Sequence, residues 1–175
     1  MPNTPMQPIK PTSATNGTVS GNVVTIGNSV GSVTVNGVFS SLYDNYLIQV
    51  SGGSASGSVA VGLTLGATAS GYYAAGVSMT FAGTSTNAFD NNGSKWTYAG
   101  TATTDSIHAN IILNSPNRAT RTYLYNNYVF GNPAGGGDAM FYSGYLNNTT
   151  QYTAFTLTPN TGTFTGGTIR VYGYR

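Results

Sequence analysis

The chain of 175 residues is long enough for one domain with a buried core, and only 6% of its residues are charged, giving a net charge of +2. The six basic residues are scattered rather than clustered, which argues against a phosphate-binding surface, so no nucleic-acid partner is expected. The absence of cysteine excludes disulfides and thiolate metal sites, and no apolar run suits a membrane span or a secretion signal, so no membrane is expected.

Threonine, serine, asparagine and glycine supply most of the polarity of the chain. These residues suit turns and the solvent face of strands and are poor in helix interiors. An almost uncharged chain here carries 13 tyrosines, 7 phenylalanines and 1 tryptophan. Tyrosine is enriched where protein surfaces meet partners, and weak charge repulsion does little to keep monomers apart. The composition therefore predicts an all-β protein that is a subunit of a larger assembly.

The first residues carry a proline at every third position, namely Pro2, Pro5, Pro8 and Pro11. Because polyproline II has three residues per turn, these prolines would line one edge of an extended segment. The pattern predicts an arm over residues 1–17 that lies on a neighbouring subunit or on a shell protein. A disordered proline-rich tail is the alternative.

Beyond the arm, apolar residues recur at every second position in short runs, which is typical of half-buried strands. Turn signals such as Asn36-Gly37 separate the runs. The alternation is clearest in residues 59–65, and the last two runs, within residues 152–174, form a predicted hairpin. About ten strands without intervening helices predict an antiparallel β-sandwich of jelly-roll type over residues 18–175.

Residues 83–100 depart from this pattern because they are rich in asparagine, serine, threonine and glycine. We interpret them as a long surface loop holding one short strand, and surface loops often carry specific contacts. Trp96 and Tyr98 are the candidate ligand contacts in this loop.

Residues 120–130 are apolar at both sets of alternating positions, so this strand is expected to lie between the core and another subunit. The last strand also alternates tyrosines with core residues. The candidates for a subunit interface are therefore Tyr123, Tyr125, Tyr128, Phe130, Tyr172 and Tyr174.

Two stretches carry a family resemblance: FSSLYDNY followed by LIQVS at residues 39–51, and GTFTGGTIRVYGY at residues 162–174. Gly71-Tyr72-Tyr73 and the Ser115-Pro116-Asn117 turn agree with it. Over most of residues 30–175 the chain resembles small β-sandwich domains of tailed-bacteriophage virion proteins. Such domains occur as minor tail or fibre-tip proteins, and similar jelly rolls occur as trimeric capsid decoration (cement) proteins. The resemblance implies a virion component, on the capsid surface or in the tail.

No catalytic or metal-binding pattern stands out in the sequence. His108 is the single histidine, and on an extended strand a spacing of three would send it and Asp105 to opposite faces. Asp44, Asp90 and Asp138, like Asp105, lie in turn-like contexts, where backbone hydrogen bonding accounts for aspartate. No enzymatic activity, cofactor or metal is expected.

The leading hypothesis is a homotrimeric capsid decoration protein that binds the major capsid protein and stabilises the head shell. Fibre proteins usually carry a long anchoring region before such a tip, and the short proline arm therefore favours a unit clamped onto a shell. The alternative is a tail-fibre or minor tail domain that contacts other tail proteins and recognises host-surface glycans through Trp96 and Tyr98.

Overall fold

The computed structural model describes residues 5–131 and 136–175. Strands make up 62% of the chain, no helix occurs among the described residues, and every strand pair is antiparallel. The predicted antiparallel β-sandwich is thereby confirmed. Within these ranges there is no helix of the length and apolarity that crossing a membrane requires.

The strands are β1 (Gln7–Ile9), β2 (Ser13–Thr15), β3 (Gly17–Ser20), β4 (Val23–Ile26), β5 (Val33–Asn36), β6 (Asn45–Gly52), β7 (Ser54–Ala55), β8 (Val59–Leu65), β9 (Tyr72–Thr80), β10 (Ser85–Gly93), β11 (Trp96–Ala102), β12 (Ile107–Asn114), β13 (Thr122–Gly131), β14 (Gly137–Leu146), β15 (Phe155–Pro159), β16 (Phe164–Thr165) and β17 (Thr168–Tyr174).

Two layers of strands form the sandwich. The long layer runs β10-β9-β14-β13-β12-β6-β17, and the far edge of β17 is shared by β4, which also pairs β3, and by β1. The second layer runs β11-β8-β15-β5-β2, and β7 with β16 forms a small separate sheet. The layers join at β12, because one edge of this strand pairs with a strand of each layer. Residues 111–114 pair with β13 of the long layer, and residues 107–108 pair with β11 of the second layer. Many neighbours are distant in sequence, as in Greek-key and jelly-roll sandwiches.

The core fills the space between the layers with the inward set of alternating residues. In β17, Ile169 and Val171 are buried between half-exposed neighbours, and β6 and β12 show the same alternation. Aromatic contacts add to this core, as Phe39 lies edge-on to Tyr46 at 4.9 Å between ring centroids and packs near Phe155 at 5.9 Å. The period of two that the sequence shows is therefore the period of burial.

Tyr46 in the FSSLYDNY stretch fixes the loop that precedes β6. Its buried hydroxyl accepts a hydrogen bond from the backbone N–H of Ser40 and donates one to the Ser40 carbonyl, both at 2.8 Å. Asp44, two residues earlier, accepts from Arg118 Nε at 2.8 Å. These contacts join the start of β6 to its own loop and to the turn after β12.

The described part of the predicted arm differs from a free or outward-reaching segment. β1 pairs β17 of the same chain, with Ile9 opposite Val171, and β2 pairs β5. Pro8 lies on an edge strand, where its missing N–H costs no ladder bond, and Pro11 is buried. Ile9 packs against the core, so burial of apolar surface holds this segment on its own sheet. Pro2 lies outside the described residues.

The predicted surface loop at residues 83–100 is wrong, because residues 85–93 form β10, whereas the short strand predicted within it is confirmed as part of β11. Among the described strands β10 pairs with β9 alone, and Ala88 is its one buried side chain. Its other positions are largely open to water, so polar residues occupy them and no apolar alternation marks the strand. A tight turn closed by Thr80 N–H on the Thr84 carbonyl at 2.8 Å joins β9 to β10.

Candidate interaction surface and cleft

The outward side of the long layer carries aligned rows of apolar and aromatic residues. The longest row crosses eight strands, from β1 to β10, through successive cross-strand pairs: Pro8, Tyr172, Leu47, Ile112, Tyr125, Ser143, Ala75 and Phe89. A second row consists of Tyr174, Asn45, Asn114, Tyr123, Tyr145 and Tyr73. We call the outward side of these eight strands the aromatic face.

Large apolar side chains on the aromatic face are open to solvent. Seven of the ten exposed large apolar residues of the described chain belong to it, namely Met79, Phe89, Ile112, Tyr123, Tyr125, Val129 and Phe141. The ring of Tyr145 stacks on Tyr73 at 5.3 Å, and the Arg121 guanidinium lies 5.3 Å from the Tyr145 ring centroid. Exposed apolar surface of this extent marks an interaction site more often than a free surface.

Charge is nearly absent from this face. Among the outward strand positions of the described chain, Arg170 alone carries a formal charge at neutral pH, and Arg121, which precedes β13, adds a second positive group over Tyr145. A partner that covers the face would therefore desolvate almost no ionised groups, which removes the largest cost of burial.

The outward side of the second layer is different in character. Thr15, Thr34, Thr156 and Thr64 follow one another across β2, β5, β15 and β8. The hydroxyls of Thr34 and Thr156 lie 2.8 Å apart and bond to each other. We call this side the threonine face. Because short hydroxyl side chains suit contact with water, the sandwich has one side suited to solvent and one suited to a partner.

The six predicted interface residues divide between two surfaces. Tyr123 and Tyr125 are exposed on the aromatic face, and Tyr172 and Tyr174 lie half-buried in the same two rows. The other two residues, Tyr128 and Phe130, point to the opposite side of β13 and line a cleft between the layers. The sequence analysis did not identify four further large apolar residues of this face: Phe89, Phe141, Leu47 and Ile112. The last three lie in predicted strands at positions that alternate with core residues, so the alternation could have identified them.

Trp96 is not a ligand contact. Its side chain is 0% exposed and lies edge-on to Tyr72, with 5.0 Å between ring centroids. Its indole N–H donates to the Tyr73 carbonyl at 3.4 Å. The predicted role is wrong because Trp96 joins β11 to β9 inside the core, whereas Tyr98 is half-buried and lines the cleft.

The cleft has a volume of about 350 Å³ and lies between β8 and β11 of one layer and β9, β10, β13 and β14 of the other. Tyr98, Tyr128 and Phe130 supply aromatic surface, and Asp138 supplies the one carboxylate of the lining. The Ser78 hydroxyl donates to Asp138. Burial raises the pKa of Tyr128, and the nearby Asp138 carboxylate raises it further. A tyrosine hydroxyl is neutral at neutral pH even without this shift, so Tyr128 can act as a hydrogen-bond donor there.

Asp90 has a structural role. One of its oxygens accepts from the Thr97 N–H at 2.8 Å, and the other accepts from the Thr97 hydroxyl at 2.7 Å. The Tyr142 hydroxyl also donates to Asp90, so the carboxylate joins β10, β11 and β14. Asp90 and Asp138 lie in strands, which corrects the predicted turn context, whereas Asp105 accepts from the Thr103 hydroxyl in a turn.

A metal site is not evident in the described part of the chain, where no cluster of three histidine or carboxylate side chains is found. His108 is half-buried and faces outward from β12, opposite Ser51 and Thr101 on its neighbours. Its pairing partners therefore offer hydroxyls rather than carboxylates.

Buried tyrosines predict a loss of stability at high pH. Burial raises the pKa of Tyr72, Tyr128 and Tyr142, and for Tyr142 the hydrogen bond to Asp90 adds to the effect. In the unfolded chain these hydroxyls ionise near pH 10, so their contribution is fully present below about pH 10 and is lost as pH rises above it. We expect cooperative unfolding above about pH 10, measured by circular dichroism and tyrosinate absorbance. Gradual ionisation of all 13 tyrosines with unchanged β-sheet dichroism would contradict this.

Comparisons of the chain with protein-family models, with curated proteins and with solved structures found no match. The resemblance to phage virion domains stays a prediction from the motifs that carry it.

Proposed function

We propose that this protein is a structural subunit of a tailed-phage virion, a homotrimeric decoration protein of the capsid surface that stabilises the head shell. The observation that carries the proposal is the aromatic face. Sister copies and the major capsid protein are its proposed partners, and they would together cover the exposed apolar rows.

Burial of this face explains how such a subunit would act. Each Å² of apolar surface removed from water contributes about 25 cal/mol, and the near absence of charge keeps the desolvation cost low. A subunit that binds only the assembled shell stabilises that shell by mass action. The contribution would oppose outward pressure from packaged DNA. This role needs no catalytic group, cofactor, membrane or nucleic-acid contact, and none is proposed.

The described part of the arm has a different role in this proposal from that of a free arm reaching a neighbouring subunit. β1 contributes Pro8 to the longest row of the aromatic face, next to Tyr172. We therefore propose that the arm acts as part of this face, and that shell contact depends on the rows of β17, β6, β12, β13 and β14.

The alternative function is recognition of host-surface glycans by a tail-fibre or minor tail protein. Trp96 no longer supports it, since the residue is buried. The cleft that contains Tyr98 supports it instead, because its lining combines aromatic rings with polar groups.

The proposal is tested by adding the purified protein to capsids of the encoding phage that lack it, and sedimenting the particles. We expect saturable co-sedimentation in trimer units, a higher melting temperature of the particle, and a copy number per virion comparable to that of the major capsid protein. A copy number typical of tail proteins, with no binding to capsids, would overturn the capsid role and favour the tail alternative.

A further inference from the structure

We infer that the cleft between the layers is a binding site for a neutral saccharide unit. The inference goes beyond shell stabilisation and gives the alternative function a specific site. It rests on the lining of the cleft and not on the aromatic face, so the two can fail independently.

The size and the walls of the cleft suit a small ligand. Its volume of about 350 Å³ is within the range of small-molecule sites, roughly 300–1,000 Å³. Tyr98 and Tyr128 approach it from different layers, and the Tyr98 ring is held edge-on to Tyr142 at 5.7 Å. Aromatic rings present a partly negative face, on which the C–H groups of a sugar ring stack favourably.

The polar groups of the lining suit a molecule with several hydroxyls. An ionised carboxylate can accept about four hydrogen bonds, so Asp138 keeps capacity for a ligand beyond the bond from Ser78. The lining also includes the hydroxyl residues Ser58, at the start of the β8 wall, and Thr86, in β10, and both are exposed to solvent. They add hydrogen-bonding groups on two sides of the cleft.

The charge of the lining selects among ligand classes. Asp138 is the one charged residue in it, and its negative charge would repel phosphates and acidic sugars. An ammonium group could bind next to Asp138 and the tyrosines, but Ser58 and Thr86 add hydroxyl groups that such a cation does not need. A neutral sugar uses both the rings and the hydrogen-bonding groups. The hydroxyl of Tyr128, neutral at this pH like that of any tyrosine, can donate to a sugar oxygen.

The experiment measures binding of the full chain to methyl glycosides of glucose, galactose, mannose and N-acetylglucosamine by saturation-transfer NMR and titration. N-acetylneuraminic acid and choline serve as the charged probes. We expect at least one neutral glycoside to bind. Asp138→Asn should weaken its binding about tenfold, because it removes a charge-assisted hydrogen bond.

Tyr128→Phe has a matched control in Tyr125→Phe, since both remove one hydroxyl from β13, on opposite sides of the strand. The first variant should weaken binding several-fold, and the second should leave it unchanged. If a cleft variant fails to fold, amide shifts of the wild-type protein decide. Shifts at Ala60 and Ala88 in the cleft would support the site, and shifts confined to Ala75 and Ser143 on the aromatic face would overturn it.

Three further results would overturn the inference: no neutral glycoside binds, binding is equal in wild type and Asp138→Asn, or choline or the acidic sugar is the sole ligand. None of these would affect capsid co-sedimentation. Failure of co-sedimentation with intact glycoside binding would leave the cleft as a site and remove the decoration role.

Discussion

Replacement of Trp96 by alanine is expected to lower the free energy of unfolding by about 3–5 kcal/mol. The indole is 0% exposed and packs edge-on against Tyr72, whose hydroxyl accepts from the Leu65 N–H at 2.8 Å. Loss of the indole would leave a cavity between the layers and remove the support of that hydrogen bond. Urea denaturation followed by circular dichroism measures the change.

The matched control is Phe89→Ala, which removes another aromatic side chain, from β10. Phe89 is 70% exposed, so the free energy of unfolding should change by no more than about 0.5 kcal/mol. A Trp96→Ala variant as stable as wild type would contradict the core position of the indole. It would also restore Trp96 as a candidate ligand contact.

The double variant Tyr125→Glu with Phe141→Glu is expected to convert the proposed trimer to monomers and to abolish the proposed attachment to capsids. Both side chains are about half exposed in the single chain, at 48% and 51%, so the fold should tolerate the change. In a covered interface, two unpaired carboxylates would each cost several kcal/mol, enough to weaken association by more than about a hundredfold. Light scattering of the free protein and co-sedimentation with capsids measure the two effects.

The control places the same two charges on the other side of the sandwich. Ser13→Glu with Thr15→Glu adds carboxylates at exposed positions of β2, on the threonine face. This variant should remain trimeric and should bind capsids as wild type does. Equal loss of assembly in both double variants would point to net charge as the cause, and equal retention would show that the aromatic face is not covered.

The alternation of residues predicts the layers well where one side of a strand contacts the core and the other contacts water. Ile169 and Val171 of β17 are examples, since their neighbours Thr168 and Arg170 face outward. In β13, by contrast, both sets of positions are apolar. A period of two then places Tyr125 and Tyr128 on opposite sides of the strand, but it does not tell which of the two sides is buried.

Pairing between distant strands determines the rest, and a single sequence does not encode it locally. β10 resembles a loop because it is an edge strand with little to bury, and the role of Trp96 was misjudged together with that loop. The cleft likewise forms from six separate parts of the chain, with Asp138 and Tyr98 brought together by pairing of β13, β14, β9 and β11 with their neighbours. Composition is more informative about the aromatic face, because few charges and many tyrosines are the properties of that surface itself.

The ladder between β1 and β17 affects how shortened forms of this protein should behave. If residues 7–9 were cut away, the backbone groups of Val171, Tyr172 and Gly173 that face β1 would lose their partners. Such an open margin is a template for a strand from another molecule. A truncated protein would therefore gain a non-native route to aggregation. Aggregation after removal of the proline-rich segment would result from the unpaired edge of β17, and it would not be evidence about shell binding.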